Sequence, residues 1–332
     1  MISVTYFAGF LLLTLLSSRF DNRFMALISS AYLIAGSGMR TSGWDWDNWM
    51  NSIYYARTLD VELETLLLLK DPVWYLIAKL SVLFSDSYRL PILIICFLSV
   101  VTKLHAISKS NINRGLYISL YGLLLSPELE FSGMRSALAS SFILAAATSQ
   151  NIRTKFGYIL LSVTSHISAM VAALSLVDHR SEVHYKRFIW GVVIIAVLGR
   201  TLIEFGAEFG RFETYSTDVA RAGSFIYPVV CVGLLLLQMK FIWRYGVPNT
   251  SYVLNILICL YAFSLAMAGN IAALSHRVLE LGNPLQLYLY LACNQVDRGP
   301  GFRRINLVGW MLFSALLLGR HFYGGSYSVV QW

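Results

Sequence analysis

The chain has 332 residues, of which 57% are hydrophobic and only 13% are charged. Soluble globular proteins carry about 25% charged residues, so a surface covered by water is excluded and a polytopic membrane protein is expected. The net charge of +8 forms no basic stripe, which argues against a nucleic-acid partner; it sits in short loops, as an orientation signal does, and a basic inner face would attract anionic membrane lipid.

Apolar runs fall at about 3–18, 23–37, 72–85, 89–107, 115–127, 132–149, 155–176, 187–205, 222–243, 250–269, 280–294 and 305–320. Many approach the roughly 20 residues that a helix needs to cross a bilayer, and they lack the two-residue alternation of a membrane barrel. The expected fold is all-α: one integral-membrane domain over 1–332, a helix bundle of about 10–12 transmembrane segments with one or two short or broken helices. The first run has no basic residue before it and no small-residue cleavage site, so it reads as a retained helix rather than a signal peptide. Cys96, Cys231, Cys259 and Cys293 lie singly in apolar runs, which points to neither disulfides nor zinc.

The loops set an orientation. Residues 19–23, 103–114, 151–155, 240–244 and 297–304 are basic and are expected to face the cytoplasm. Residues 38–71, 128–131, 204–221 and 270–280 hold most of the acids and are expected outside. Strict alternation of twelve spans cannot satisfy this. It works if 72–85 and 155–176 do not cross. The first has only 14 residues and begins after Asp71 with Pro72, and the second carries His166 between serines at mid-run. Irregular backbone at membrane depth is tolerated where it is buried or lines a wet cavity.

Charges at or within the membrane are costly and therefore candidates for function. The stretch "SGMRTSGWDWDNWMNSIYYA", Ser37–Ala56, packs Arg40, Asp45 and Asp47 among Trp44, Trp46 and Trp49. "SGMR" recurs at 132–135, where Arg135 opens an apolar run; a helix start favours an anion and a guanidinium adds a two-point grip on phosphate. The small residues after Arg135 read as a helix-packing face, which points it into the bundle rather than at lipid. His166 is suited to a phosphate oxygen or a sugar hydroxyl. Arg221 and Arg277 stand at similar helix edges, where several guanidiniums would suit a di-anionic headgroup. Trp44 and Trp49 fit either sugar faces or an interfacial aromatic belt. Asp45 and Asp47 form a weak DxD pattern, and no P-loop, HExxH, GxSxG or GxGxxG occurs.

Four stretches together resemble the EpsG branch of Wzy-type bacterial polysaccharide polymerases. They are Arg40, Gly43, Asp45 and Trp49; "DPVWYLIAKL"; "GMRSALASSFILAAA"; and "SHISAMVAAL". They cover roughly 23–176, and the second half matches in hydropathy and Arg277. Ser136 stands where the family often has glutamine, and Trp49 where it often has tyrosine.

The resemblance implies a bundle like that of the membrane-embedded, GT-C-like glycosyltransferases, and an enzyme of the bacterial inner membrane with its site facing the periplasm or cell exterior. Such enzymes transfer a glycan chain from undecaprenyl pyrophosphate to the non-reducing end of another lipid-linked repeat unit, with no cofactor and no metal. Donor and acceptor lipid-linked oligosaccharides and a chain-length-regulating copolymerase are the partners it suggests. Arg40, Arg135, Arg221 and Arg277 would then hold pyrophosphate, with Trp44 and Trp49 on the sugars. The acceptor hydroxyl needs a base, with Asp45 preferred, Asp47 second and His166 in reserve. A flippase or transporter of lipid-linked oligosaccharide, an O-antigen ligase and a membrane acyltransferase are the rival readings.

Overall fold

The structure, a computed structural model, describes residues 2–20, 22–40, 46–58, 71–131, 133–178, 223–245, 250–268, 272–295 and 300–323. Among them every regular element is a helix: α1 Ile2–Ser17, α2 Asn22–Gly38, α3 Trp46–Thr58, α4 Pro72–Ser81, α5 Arg89–Ser108, α6 Arg114–Leu124, α7 Met134–Thr148, α8 Ile152–Ser165, α9 Met170–Ala173, α10 Gly223–Tyr245, α11 Ser251–Met267, α12 Ala272–Asn294 and α13 Pro300–Tyr323. This is the backbone solution that hydrocarbon demands, because a helix satisfies its own N–H and C=O groups. The run at 187–205 lies outside the described residues.

The helices group into two compact units, residues 1–167 with 317–332, and residues 168–316. In the first, α6 packs on α1 and α2 because its glycines leave room. A Cβ on Gly115 would stand 2.8 Å from the Met25 Cβ, and one on Gly122 would enter the Phe10 ring. The Ser119 hydroxyl meets Ser17 Oγ at 3.1 Å and Ser29 Oγ at 2.9 Å, so three helices share one polar node. Asn113 caps α6 through the Leu116 N–H at 2.9 Å, and Asn151 caps α8 through the Arg153 N–H at 2.9 Å. A second core joins α3, α4, α5 and α7 through Trp49, Ile53, Trp74, Ile92, Ile95, Cys96, Met134 and Leu138.

The two expected interruptions are present. Helix α4 has 10 residues, about 15 Å and half the hydrocarbon thickness. Helix α8 ends where His166 adopts an extended backbone (φ −158°, ψ 118°), followed by short helical turns over Ile167–Asp178.

Four expectations are corrected. The loop at 38–71 contains a helix, α3. The run at 115–127 forms only the 11-residue α6, after which residues 125–131 turn inside the unit and are all buried; Glu128 and Glu130 therefore do not sit in an outer loop. The backbone of this turn satisfies itself, with Leu125 N–H on Tyr121 C=O at 2.8 Å, Phe131 N–H on Ser126 C=O at 3.0 Å and Gly133 N–H on Leu129 C=O at 2.9 Å. Lys103 does not belong to a basic cytoplasmic loop: it lies within α5, fully buried and ion-paired to Glu130. The run at 280–294 begins earlier, at Ala272; the polar start is held by reciprocal bonds of Ser264 and Ser275, each hydroxyl donating to the other's carbonyl at 2.9 and 2.7 Å.

In the second unit α10, α11 and α12 pack together. Gly282 admits the Tyr261 ring. Asn283 donates to the Tyr227 hydroxyl at 2.9 Å, and Gln286 donates to Gln238, interhelical polar ties of the kind membrane bundles use.

Among the described residues one helix, Arg89–Ser108, is long and apolar enough to cross a membrane; Thr5–Ser17, Phe225–Lys240, Ser251–Met267 and Asn306–Gly319 are shorter apolar helices. Their outer faces are oily. Leu11, Leu12 and Leu15 on α1 and Leu307, Val308, Met311 and Leu312 on α13 are exposed. Apolar rows of this size need a partner or lipid, and with the overall composition they mark a membrane protein.

Candidate active site

Three stretches far apart in sequence meet at Asp71 in the first unit. Pro72 starts α4 because its missing N–H is one that a first helical turn leaves unused. Asp71 takes the N-cap position, yet its side chain does not cap its own helix. The carboxylate is fully buried and turned to other segments instead. Arg135 Nη1 donates to Oδ2 at 2.5 Å, the Ile167 N–H donates to Oδ1 at 3.1 Å, and His166 Nδ1 lies 3.4 Å from the same Oδ1.

The break in α8 creates this geometry. Extended backbone at His166 stops the helix ladder, frees the next N–H and swings the imidazole beside the carboxylate. The His166 contact is an ion-pair distance without the alignment of a hydrogen bond, and neither ring nitrogen has a hydrogen-bond partner among the described residues. Burial by itself raises the Asp71 carboxyl, but contact with His166, the Arg135 charge and the Ile167 N–H outweigh it and hold the group below its ordinary value. Asp71 precedes α4, outside the one described helix that is long and apolar enough to cross a membrane, and is an anion.

Arg135 sits in the first turn of α7. Its guanidinium lies 4.8 Å over the Trp49 ring, and Trp49 packs edge-on against Trp74 at 4.6 Å. The side chain keeps 30% exposure, so one edge grips Asp71 while the rest of a five-donor fork stays open. Arg40, the arginine of the first "SGMR", is fully buried. Its Cζ is 6.0 Å from the Trp46 ring and 5.5 Å from the Phe131 ring. Trp46 and Trp49 are one turn apart on α3, so a single helix face carries both arginines on tryptophan shelves.

Arg57 ties α3 to α4. It donates to Ser81 Oγ at 3.0 Å and to the carbonyls of Asp86 at 2.7 Å and Ser87 at 3.0 Å, tying the end of α3 to the far end of α4 and so placing Trp49 beside Trp74 and Asp71.

The structure thus brings together Arg135, His166 and Trp49 from the sequence expectation, with Arg40 on the neighbouring shelf. Trp49 is 4% exposed, and its ring face carries Arg135. Trp44, Asp45 and Arg221 lie outside the described residues; Asp47 is the second residue of α3, with its side chain outside them as well. Arg277 belongs to the second unit, where it pairs with Glu280 at 3.2 Å. Asp71 is not among the expected site residues, because in the sequence it serves only to open a short apolar run and the stretch "DPVWYLIAKL". The other charged set missed is Lys103 with Glu130, whose sequence signal, a lysine four residues from the end of an apolar run, resembles a loop boundary.

Among the described residues no group of three or more His, Cys, Asp or Glu is arranged to hold a metal ion. No curated protein and no solved structure matches the chain. A family model, that of the EpsG family, matches residues 23–331. The match extends well beyond the 23–176 stretch that carries the motifs and takes in both units. By this match over nearly its whole length, the chain belongs to the EpsG family, whose role is of the polysaccharide-polymerase type.

Proposed function

We propose that the chain transfers a growing glycan from undecaprenyl pyrophosphate to the non-reducing end of another lipid-linked repeat unit, at the periplasmic or outer face of the bacterial inner membrane. The observation that carries this reading is the Asp71 node, with an imidazole and a half-open guanidinium on one buried carboxylate. The reaction needs a base for the acceptor hydroxyl and positive charge for the departing pyrophosphate. His166 takes the hydroxyl proton through Nε2, and the Asp71 carboxylate, 3.4 Å from Nδ1, favours the positive charge the imidazole then gains. This moves the base from Asp45 and Asp47 to His166. Arg135 meets the leaving phosphate with its exposed donors and Arg40 adds charge from the adjacent shelf, so that guanidiniums stand where many glycosyl transferases use a metal. A chain-length-regulating copolymerase is the protein partner this reading takes.

The test uses purified protein in liposomes with its native lipid-linked repeat unit, without nucleotide and with a metal chelator. Products laddered at repeat-unit intervals are expected, and His166→Ala is expected to lose them. Transbilayer movement of unchanged glycan would favour the flippase. Loss of ladders on chelation would bring a metal into the mechanism, and wild-type laddering by His166→Ala would remove it as the base.

A further inference from the structure

We infer that Lys103 and Glu130 are positioning residues for Arg135, acting through the first turn of α7. The inference rests on the polymerase reading, which takes Arg135 as a phosphate-binding group.

Both side chains are fully buried. Lys103 Nζ donates to Ser99 Oγ at 2.5 Å, to Glu130 Oε1 at 3.1 Å and to the Ala137 carbonyl at 3.3 Å, so all three ammonium donors are used. Nζ also lies 4.4 Å over the Tyr121 ring. Glu130 Oε1 accepts from Ser99 Oγ at 3.0 Å, and its Oε2 accepts from the Tyr121 hydroxyl. One ion pair therefore joins α5, α6, the buried turn after α6, and α7.

Stability alone is a poor account of such a pair. The desolvation of two buried charges often cancels their attraction, and an apolar set of the same volume is frequently as stable. What the ionic set adds is direction. Its two anchors in this part of the chain bracket Arg135: Glu130 stands before it and Ala137 after it. Two backbone bonds hold the start of α7, Gly133 N–H on Leu129 C=O at 2.9 Å and Ala137 N–H on Gly133 C=O at 2.8 Å. Lys103 thus ties both Glu130 and the first turn of α7 at Ala137 to α5. The side chain that leaves this segment is Arg135, which must reach Asp71 ahead of α4 and the Trp49 ring on α3 together. A slide or rotation of the first turn of α7 by about 1 Å is enough to cost on the order of a hundredfold in rate at a site built on placement.

The test is a double-mutant cycle read as turnover and KM for the native lipid-linked repeat unit in liposomes. Lys103→Met/Glu130→Gln removes the charges together and leaves no lone buried ion. Turnover is expected to fall about tenfold or more with KM within about twofold. Arg135→Lys alone is expected to fall further, and adding the pair of substitutions to Arg135→Lys to change little more, because a positioning network has nothing left to place. Losses that multiply across the cycle would make the pair merely structural and overturn the inference while leaving the polymerase reading intact. Wild-type laddering by Arg135→Lys, or no laddering by the wild-type protein, would overturn the reading and the inference with it. Should the double variant fail to fold, Tyr121→Phe removes a single bond to Glu130 without changing the packing; the same cycle is run with it, with an expected loss of about threefold that disappears in the Arg135→Lys background.

Discussion

Asp71 decides how the site behaves, because a buried carboxylate is tolerable only with its partners in place. Asp71→Asn keeps the shape and removes the charge facing Arg135 and His166. Stability is expected to drop by about 1–3 kcal/mol, less than the full cost of stranding a buried ion, since Arg135 is 30% exposed and rehydrates. Turnover is expected to fall at least tenfold, because His166 loses the negative charge beside Nδ1. The pH dependence follows from the sign of the shift. A carboxyl held below its ordinary value in the folded protein contributes stability above the ordinary value and loses it as pH falls through the lowered one. Wild-type thermal stability should therefore hold between pH 5 and 7 (both well above the ordinary carboxylate value of about 4) and decline only in stronger acid. Asp71→Asn should lack that acid-driven decline. Melting temperatures of both proteins from pH 3 to 7 check it, and parallel curves would show that Asp71 is not the anion described.

Helix α3 shows where sequence reading stopped and why. The apolar runs were legible because hydrocarbon imposes length and composition; the short α4 was legible because a 14-residue run opening on Pro72 is too short to cross, and the break at His166 because a lone histidine interrupts its run. Helix α3 was not, since "WDNWMNSIYYART" is polar in aggregate and its two useful residues, Trp46 and Trp49, look like interfacial aromatics. Pairing also escapes a single sequence: nothing local distinguishes Asp71 as the partner of Arg135, or Glu130 as that of Lys103. The shelves suggest a measurement. Trp49→Leu keeps an apolar contact with Trp74 but removes the π face under Arg135. A loss of about 1–2 kcal/mol of the arginine's placement is expected, read as a roughly tenfold fall in turnover, with Trp49→Phe recovering most of it. Equal activity of Trp49→Leu and the wild type would separate the shelf from the reaction.

The two units divide the labour unequally: the Asp71 node and the Lys103–Glu130 clamp both belong to the unit of residues 1–167 with 317–332, while Arg277 belongs to the other. Sidedness of the whole chain then turns on α5, the one described helix that meets the length and composition for crossing. If it crosses, its two ends lie on opposite faces. Its first end carries Asp86 and Arg89, and the segment after it carries Lys109 and Arg114; the positive-inside rule would put the second, with the larger net positive charge, in the cytoplasm. Lys103, withdrawn into the core, adds nothing to that bias. In a background with Cys96, Cys231, Cys259 and Cys293 replaced, Ser87→Cys and Ser110→Cys are introduced singly and intact cells are treated with a membrane-impermeant maleimide. Ser87→Cys is expected to label directly, and Ser110→Cys only after the membrane is opened. The opposite pattern would turn the Asp71 site, held by Arg57 to the segment before α5, toward the cytoplasm, where a polymerase acting on exported lipid-linked glycan has no substrate.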